Sequence, residues 1–199
     1  MNLEKRASEI LDTQQEAVKK LQVTPAMLNA ILRISGMKES RGRIITTGIG
    51  KAGIIATKMS ATLSSIGLPS FYVHPGESGH GDMGRVAAED LLIVFSNSGN
   101  TSEVIGMISN VNDLNDGKNF VITVTGNENP KIPSDLVVCY GKLQESCVVS
   151  KVPSTSTTIM LVIADILAIT AAESLGLEDS WFKARHPGGA IGKSYKEGN

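Results

Sequence analysis

The sequence has few aromatic residues and almost no net charge, and both shortages argue against a nucleic-acid partner. Phe, Trp and Tyr make up 4% of the 199 residues, which is too few for a platform on which bases stack. The formal net charge is −1, and no basic run is present to bind a phosphate backbone. We therefore expect no nucleic-acid binding.

Cysteine and long apolar runs are also scarce. The two cysteines, Cys139 and Cys147, fit neither a disulfide framework nor a zinc pattern, which predicts reduced thiols. No uninterrupted apolar run reaches the ~18 residues of a membrane span. The opening run MNLEKRASEILDTQQEAVKK is too charged for a signal peptide. These features predict a cytoplasmic protein without a membrane partner.

The remaining pattern is that of one α/β domain covering residues 1–199. Residues 1–40 predict two helices, the second with Thr24 as N-cap and Gly36 as its end, and residues 41–193 predict a sheet core with a glycine-rich tail. A long apolar segment, Ser156–Leu175, predicts a helix buried in the core or in a subunit interface. The tail His186–Gly192 predicts irregular structure. Five short apolar runs predict parallel strands: Ile44–Thr47, Phe71–Val73, Leu91–Phe95, Phe120–Val124 and Leu136–Tyr140.

The turn GIGKAG at residues 48–53 lies between the first predicted strand and a predicted helix. Glycines such as Gly50 let the backbone approach a ligand, and the amides at a helix start favour an anion. The spacing also matches the dinucleotide fingerprint G-x-G-x-x-G. However, Val73-His74-Pro75 stands where that fingerprint needs an acidic residue, and Lys51 lies inside the turn. We therefore favour a phosphorylated small molecule over a dinucleotide or a simple tight turn.

Hydroxyl groups are concentrated at two predicted helix starts. After the third strand the chain reads SNSGNTSE, which predicts a neutral phosphate cradle of hydroxyls and backbone amides. A cap alone would need only one such residue. The run Ser154–Thr158 opens the long helix, where it acts either as an N-cap with surplus hydroxyls or as a second ligand contact. The binding candidates are Ser96, Asn97, Ser98, Gly99, Thr101, Ser102, Ser156 and Thr157.

The loop HPGESGHGD at residues 74–82 is rich in groups that transfer protons. His74 and His80 are not at the i, i+4 spacing of a helical metal pair, which favours acid–base chemistry over metal binding. A third histidine, His186, lies in the glycine-rich tail. All three imidazoles therefore occur in irregular, glycine-flanked segments.

Together these segments resemble the sugar isomerase (SIS) domain and, within it, the D-arabinose-5-phosphate isomerases. The resemblance covers about residues 40–193 through GIGKAG, HPGESGHGDMG, SNSGNTSE, PSTSTT and HPGGAIGK. It implies a three-layer fold with a five-stranded, flavodoxin-like parallel sheet, a homotetramer, and aldose–ketose isomerisation without a cofactor or a required metal. The positions it implies as functional are Lys51, His80, Glu103, Glu145 and His186. His74 falls where the family can bind an inhibitory zinc ion.

The predicted reaction interconverts D-ribulose 5-phosphate and D-arabinose 5-phosphate through a cis-enediol, which feeds Kdo and lipopolysaccharide synthesis. It needs a base near carbons 1 and 2, a donor to the enolate oxygen, and a group that opens the aldose ring. The alternatives are another SIS isomerase, such as a 6-phospho-3-hexuloisomerase, or a non-catalytic sugar-phosphate sensor. Many relatives continue into paired CBS modules and this sequence stops soon after the tail. We therefore expect an end product such as CMP-Kdo to compete in the active site.

Overall fold

The computed structural model of the protein describes residues 1–149 and 151–197. Five parallel strands form one sheet in the order β2-β1-β3-β4-β5. This is the flavodoxin-like order, and it confirms the predicted fold class. Each predicted strand lies within one residue of its observed bounds, which are β1 (Ile44–Gly48), β2 (Ser70–Val73), β3 (Leu91–Phe95), β4 (Phe120–Thr125) and β5 (Leu136–Cys139).

Helices cover both faces of the sheet because its central strands are apolar on both sides. Alternate residues of β3 enter opposite cores: Ile93 packs with α2, α3 and α6, whereas Leu92 and Val94 pack against α5. All five residues of β1 and of β3 are buried. The helices are α1 (Leu3–Lys20), α2 (Pro25–Gly36), α3 (Lys51–Ser65), α4 (Pro75–Ser78), α5 (Ser102–Leu114), α6 (Thr155–Ser174), α7 (Asp179–Arg185) and α8 (Gly189–Glu197).

The two N-terminal helices form as predicted, but their apolar faces are only partly covered. Thr24 caps α2 by accepting a hydrogen bond from the N–H of Met27 at 3.3 Å, and α2 ends at Gly36. Helix α1 has no buried residue. The apolar side chains that remain exposed on α1 and α2 include Leu3, Ile10, Leu11, Val18, Leu28 and Leu32.

Helix α6 occupies the centre of one helical layer. It is long and apolar enough to cross a membrane by length and composition, but half of its 20 residues are buried within the domain. It packs against α1, α2 and α3. Of the two predicted positions, core or subunit interface, the structure shows the core for this half of the helix.

The tail differs from the prediction, because part of it is helical. Residues 186–188 are irregular as expected, whereas Gly189 begins α8 with a φ of +68°. At Gly192 a Cβ would lie 2.6 Å from the carbonyl oxygen of Pro187. Glycine at this position allows the first turn of α8 to fold back against the preceding segment.

Candidate active site

A pocket of ≈ 230 Å³ lies where β1 and β3 end, at the point where the strand order reverses. Ligands of open parallel sheets collect at this position. We call it the strand-end pocket. The predicted site residues that line it are Lys51, Ser96, Asn97, Ser98, Thr101, Ser156 and Thr157.

The glycines of the turn at residues 48–53 bring the start of α3 against the sheet. A Cβ on Gly48 would lie 2.8 Å from the carbonyl oxygen of Phe95, and one on Gly53 would lie 2.7 Å from that of Gly48. Gly50 precedes α3 with a φ of +59°, a conformation that glycine adopts without steric cost. The amino-terminal end of α3 therefore faces the pocket.

Lys51 is the first residue of α3 and lines the pocket. Its side chain is exposed. Among the side chains that the structure describes, no carboxylate forms an ion pair with it. The amine is thus free to meet an anionic ligand.

The loop between β3 and α5 is held by its own hydroxyl groups. The Ser96 hydroxyl lies 3.2 Å from the Thr101 hydroxyl and accepts a hydrogen bond from the N–H of Gly99 at 3.1 Å. Thr101 stands at the N-cap of α5 without making a capping bond. Its hydroxyl therefore belongs to the loop rather than to a simple cap, as the density of hydroxyls in the sequence predicted.

The start of α6 completes the pocket and leaves one hydroxyl without a partner. Ser156 is 1% exposed and lines the pocket, and its Oγ has no hydrogen-bond partner among the described residues. The neighbouring Thr157 hydroxyl donates instead to the carbonyl of Ser154 at 2.8 Å. A buried hydroxyl without a partner is costly unless a ligand or water satisfies it. Ser156 thus marks a ligand position.

Glu145 holds the start of α6 from the preceding loop. Its Oε2 accepts hydrogen bonds from the N–H of Ser154 at 2.8 Å and from the N–H of Ser156 at 3.3 Å. Burial raises the pKa of Glu145, but hydrogen bonds from Ser156 and Ser154 outweigh it, and the net pKa lies below its usual value. The Ser156 hydroxyl contributes to this lowering, although its contact with Glu145 does not have the geometry of a hydrogen bond.

Glu145 also lines a second cavity of ≈ 380 Å³ beside the strand-end pocket. We call it the side cavity. Asn97 and Pro153 line both spaces, so the two are neighbours. Two lysines, Lys142 and Lys151, also line the side cavity.

Glu103 lies in the first turn of α5 and does not line the pocket. Its carboxylate is exposed and accepts a hydrogen bond from the Ser102 hydroxyl at 2.9 Å. The backbone N–H of Glu103 and the hydroxyl of Ser102 lower the pKa of this side chain. Glu103 is therefore an ionised group near the cradle but outside its lining.

The three histidines lie outside the pocket lining. His74 accepts a hydrogen bond from the N–H of Gly76 at 3.1 Å, and His80 is exposed in the loop that follows α4. His186 stacks on Phe182 with ring centroids 3.8 Å apart. In the described residues no three His, Cys, Asp or Glu side chains form a group that could hold a metal ion.

Tyr140 was missed as a site residue. It directly follows β5, and its hydroxyl donates to Oδ1 of Asn97 at 2.7 Å. Burial, followed by the nearby carboxylate of Glu145, raises the pKa of Tyr140. The apolar run Leu136–Tyr140 predicts that this residue belongs to the strand, whereas it lies just beyond the strand end, where ligands of parallel sheets collect.

The arrangement of strand, glycine turn and hydroxyl-lined helix starts is also found in known proteins. The SIS domain family matches residues 37–169. The chain belongs to the SIS domain family. This confirms the resemblance found in the sequence.

Curated relatives of this SIS protein are arabinose 5-phosphate isomerases. The enzyme KdsD of Pseudomonas aeruginosa is 39% identical over 155 residues, which cover 77% of this chain and 47% of that enzyme. KdsD of Escherichia coli K12 is 37% identical over 167 residues, covering 83% and 50%. The chain thus spans about half the length of the curated relatives it matches.

Solved SIS structures match over nearly the whole chain. A candidate phosphosugar isomerase involved in capsule formation from Bacteroides fragilis has a TM-score of 0.89 and 34% identity, covering 93% of this chain and 97% of its own. A protein of Escherichia coli CFT073 in complex with arabinose 5-phosphate has a TM-score of 0.83 and 32% identity, covering 94% and 100%.

Proposed function

We propose that the protein is an aldose–ketose isomerase that interconverts D-ribulose 5-phosphate and D-arabinose 5-phosphate. The buried hydroxyl of Ser156, without a partner in the described chain, carries the proposal, because it lies where the starts of α3, α5 and α6 meet at one pocket. Three helix starts favour an anion such as a sugar phosphate. The names of the curated relatives favour this reaction over a hexulose phosphate isomerase or a sensor.

The phosphate is proposed to bind in the strand-end pocket. Its neutral contacts are the hydroxyls and backbone amides of the loop after β3 and of the α6 start, together with the backbone at Gly50. Lys51, which also lines the pocket, adds the positive charge. The proposed contacts are Gly50, Ser96, Asn97, Ser98, Gly99, Thr101, Ser102, Ser156 and Thr157.

The proposed chemistry moves one proton between carbons 1 and 2. A carboxylate, Glu145 or Glu103, removes the proton from one carbon to form the cis-enediol and returns it to the other. Lys51 stabilises the negative charge that develops on the oxygen. Oε1 of Glu145 has no hydrogen-bond partner among the described residues, so one carboxylate oxygen remains available beside the side cavity.

The remaining groups are proposed to act in an assembly. His80 and His186 are the candidates for opening the aldose ring, yet neither lines the pocket of its own chain. A homotetramer would bring a neighbour's tail to the pocket and cover the exposed apolar side chains of α1 and α2, together with Ile54, which is 68% exposed. Sedimentation at micromolar concentration tests this, and an active monomer would contradict it.

We place the reaction in the cytoplasm, in Kdo and lipopolysaccharide synthesis, with CMP-Kdo as a competing end product. The support is the cation of Lys51 beside an anion pocket and the two lysines of the side cavity. None of the three forms an ion pair with a described side chain, and together they suit a larger anion. Competition requires that CMP-Kdo raise the apparent KM without changing kcat. Absence of inhibition at millimolar concentration would refute it. Zinc bound at His74 is a second proposed inhibitor, tested by adding zinc to wild type and to His74→Ala.

The central experiment is to incubate the purified protein with D-ribulose 5-phosphate and identify the product sugar by NMR. Formation of D-arabinose 5-phosphate, and of the ketose from the aldose, supports the proposal. No product from this ketose, with turnover of a hexulose 6-phosphate instead, would favour the related isomerase. Binding of sugar phosphates without turnover of either would favour the sensor.

A further inference from the structure

Asn97 stands at the boundary between the strand-end pocket and the side cavity. It is an exposed residue directly after Ser96 at the end of β3, and it lines both spaces. On one side lie the hydroxyls of Ser96 and Ser98, and on the other lies Glu145. A sugar phosphate whose phosphate occupies the cradle and whose reacting carbons approach Glu145 would pass this side chain.

The backbone of Asn97 is held by the segment after β4. Its carbonyl oxygen accepts hydrogen bonds from the N–H of Gly126 at 3.1 Å and from the Thr125 hydroxyl at 3.2 Å. A Cβ on Gly126 would lie 2.8 Å from Asn97 Oδ1 and 3.0 Å from Tyr140 Cε2. A glycine at 126 therefore allows Asn97 and Tyr140 to meet.

The side-chain amide is oriented by Tyr140. The phenol donates to Oδ1 of Asn97 at 2.7 Å. Because burial raises the pKa of this phenol, it keeps its proton and stays a donor. Oδ1 is thus occupied, while Nδ2 has no hydrogen-bond partner in the described part of the chain. The reverse orientation would place a carbonyl oxygen, rather than two N–H donors, beside an anionic ligand.

We propose that Nδ2 of Asn97 donates a hydrogen bond to a hydroxyl or carbonyl oxygen of the sugar chain, and that Tyr140 is the positioning residue that fixes the amide for this contact. The inference rests on the proposed function and refines the role of Asn97 from phosphate binding to recognition of the sugar. The phosphate has its own donors in the hydroxyls and amides of the cradle and of the α6 start. The amide is the neutral donor between them and Glu145.

A double-mutant cycle tests the coupling between the two residues. Asn97→Ala and Tyr140→Phe should each lower kcat/KM for D-ribulose 5-phosphate by about 3- to 10-fold, the effect of one neutral hydrogen bond. In the Asn97→Ala background, Tyr140→Phe should have no further effect, because the phenol acts only through the amide. Ser134→Ala, which removes a hydroxyl bonded to Thr123 elsewhere in the fold, is the control for a loss of stability without a change in kcat/KM.

Inhibition by inorganic phosphate measures binding to the phosphate cradle without any contribution from the sugar. Its inhibition constant should stay within about 2-fold of wild type in Asn97→Ala, since the phosphate contacts are intact. A loss of phosphate affinity equal to the loss in kcat/KM would overturn the inference, as would additive effects of the two substitutions or an unchanged kcat/KM.

Calorimetric binding of D-arabinose 5-phosphate to the same variants distinguishes this inference from the proposed function. If wild type binds D-arabinose 5-phosphate without turning it over, the proposal that the protein is an isomerase is wrong. The same double-mutant cycle, measured as binding affinity instead of kcat/KM, still decides whether the amide contact exists. Coupled losses of affinity support the contact. Additive losses, no loss, or no binding by wild type contradict it.

Discussion

The carboxylate of Glu145 accepts both the backbone N–H and the hydroxyl of Ser154, at 2.8 and 3.0 Å. These bonds close the loop between β5 and α6 and place a negative charge at the start of that helix, where the helix dipole stabilises it. The same side chain borders the side cavity. Glu145 therefore has two separable roles, in folding and in the proposed reaction.

The proposed base is tested by changing each glutamate to glutamine. Glu145→Gln and Glu103→Gln keep the side-chain shape but cannot accept a proton, so the variant that lacks the base should lose at least about 10² in kcat. Steady-state kinetics in both directions measure this. Glu89→Gln, an exposed glutamate before β3, serves as the matched control. Near wild-type turnover in both single variants would rule out either residue as the base.

The folding role of Glu145 predicts a pH dependence of stability. The pKa of Glu145 in the folded protein is below its usual value of 4.5, so its stabilising contribution is present above pH 4.5 and is lost as pH falls through the folded pKa. Glu145→Gln lacks this contribution at any pH. Urea midpoints for wild type and variant should thus differ most near pH 7 and converge as the pH falls below 4.5 and through the folded pKa. A constant difference would show that the charge is not responsible.

Much of the fold followed from local patterns, because the strands are continuous apolar runs and the helix starts carry hydroxyls and glycines. Ile93 is buried in a strand and Thr24 caps α2, as the residues around each of them in the sequence predict. The contacts of the site are different, since they join residues far apart in the chain. The bond from Tyr140 to Asn97 has no local signal in the sequence. The same holds for the Ser156 hydroxyl, which has no partner in the described part of the chain.

The tail shows a second limit of sequence patterns. Pro187 and two glycines predict a loop, yet α8 begins at Gly189 because glycine at 192 lets the helix turn back on the preceding carbonyl. Similarly, Leu11 lies among the apolar side chains of α1 and yet is 57% exposed. A periodic pattern identifies the face of a helix but not the partner that covers it.

Lys51→Ala should lower kcat while the protein stays folded. The amine is exposed at the first position of α3, so its removal costs little packing, but the developing negative charge loses its cationic partner. Kinetics and thermal unfolding separate the two effects. Lys118→Ala, at an exposed lysine before β4, is the control. A variant with reduced stability and normal turnover would show that Lys51 serves only the turn.

The histidines are distinguished by the direction of the reaction. Because the aldose is mostly cyclic and the ketose is open-chain, loss of the ring-opening group should lower kcat for the aldose more than kcat for the ketose. His80→Ala and His186→Ala are compared in both directions, with His74→Ala as the third member of the set. If a variant keeps the same fraction of wild-type activity in both directions, ring opening by that histidine is excluded.

Helix α1 is predicted to support Glu145 from outside the sheet. Arg6 donates to the carbonyl of Ser146, and Gln14 donates to the Ser146 hydroxyl at 3.0 Å, which in turn lies 3.0 Å from the hydroxyl of Thr155. Ser146 is 7% exposed and follows Glu145 directly. Since α1 itself has no buried residue, these bonds should affect the position of the loop more than the stability of the domain.

Arg6→Ala and Gln14→Ala should therefore each lower kcat several-fold with little change in melting temperature, and Arg6→Lys should restore part of the loss. In a Glu145→Gln background the same changes should have no further effect on kcat, because they act through the carboxylate. Lys19→Ala, exposed on the same helix, is the matched control. Equal losses of kcat in both backgrounds would show that α1 influences turnover by another route. A fall in melting temperature without a fall in kcat would show that α1 contributes only to packing.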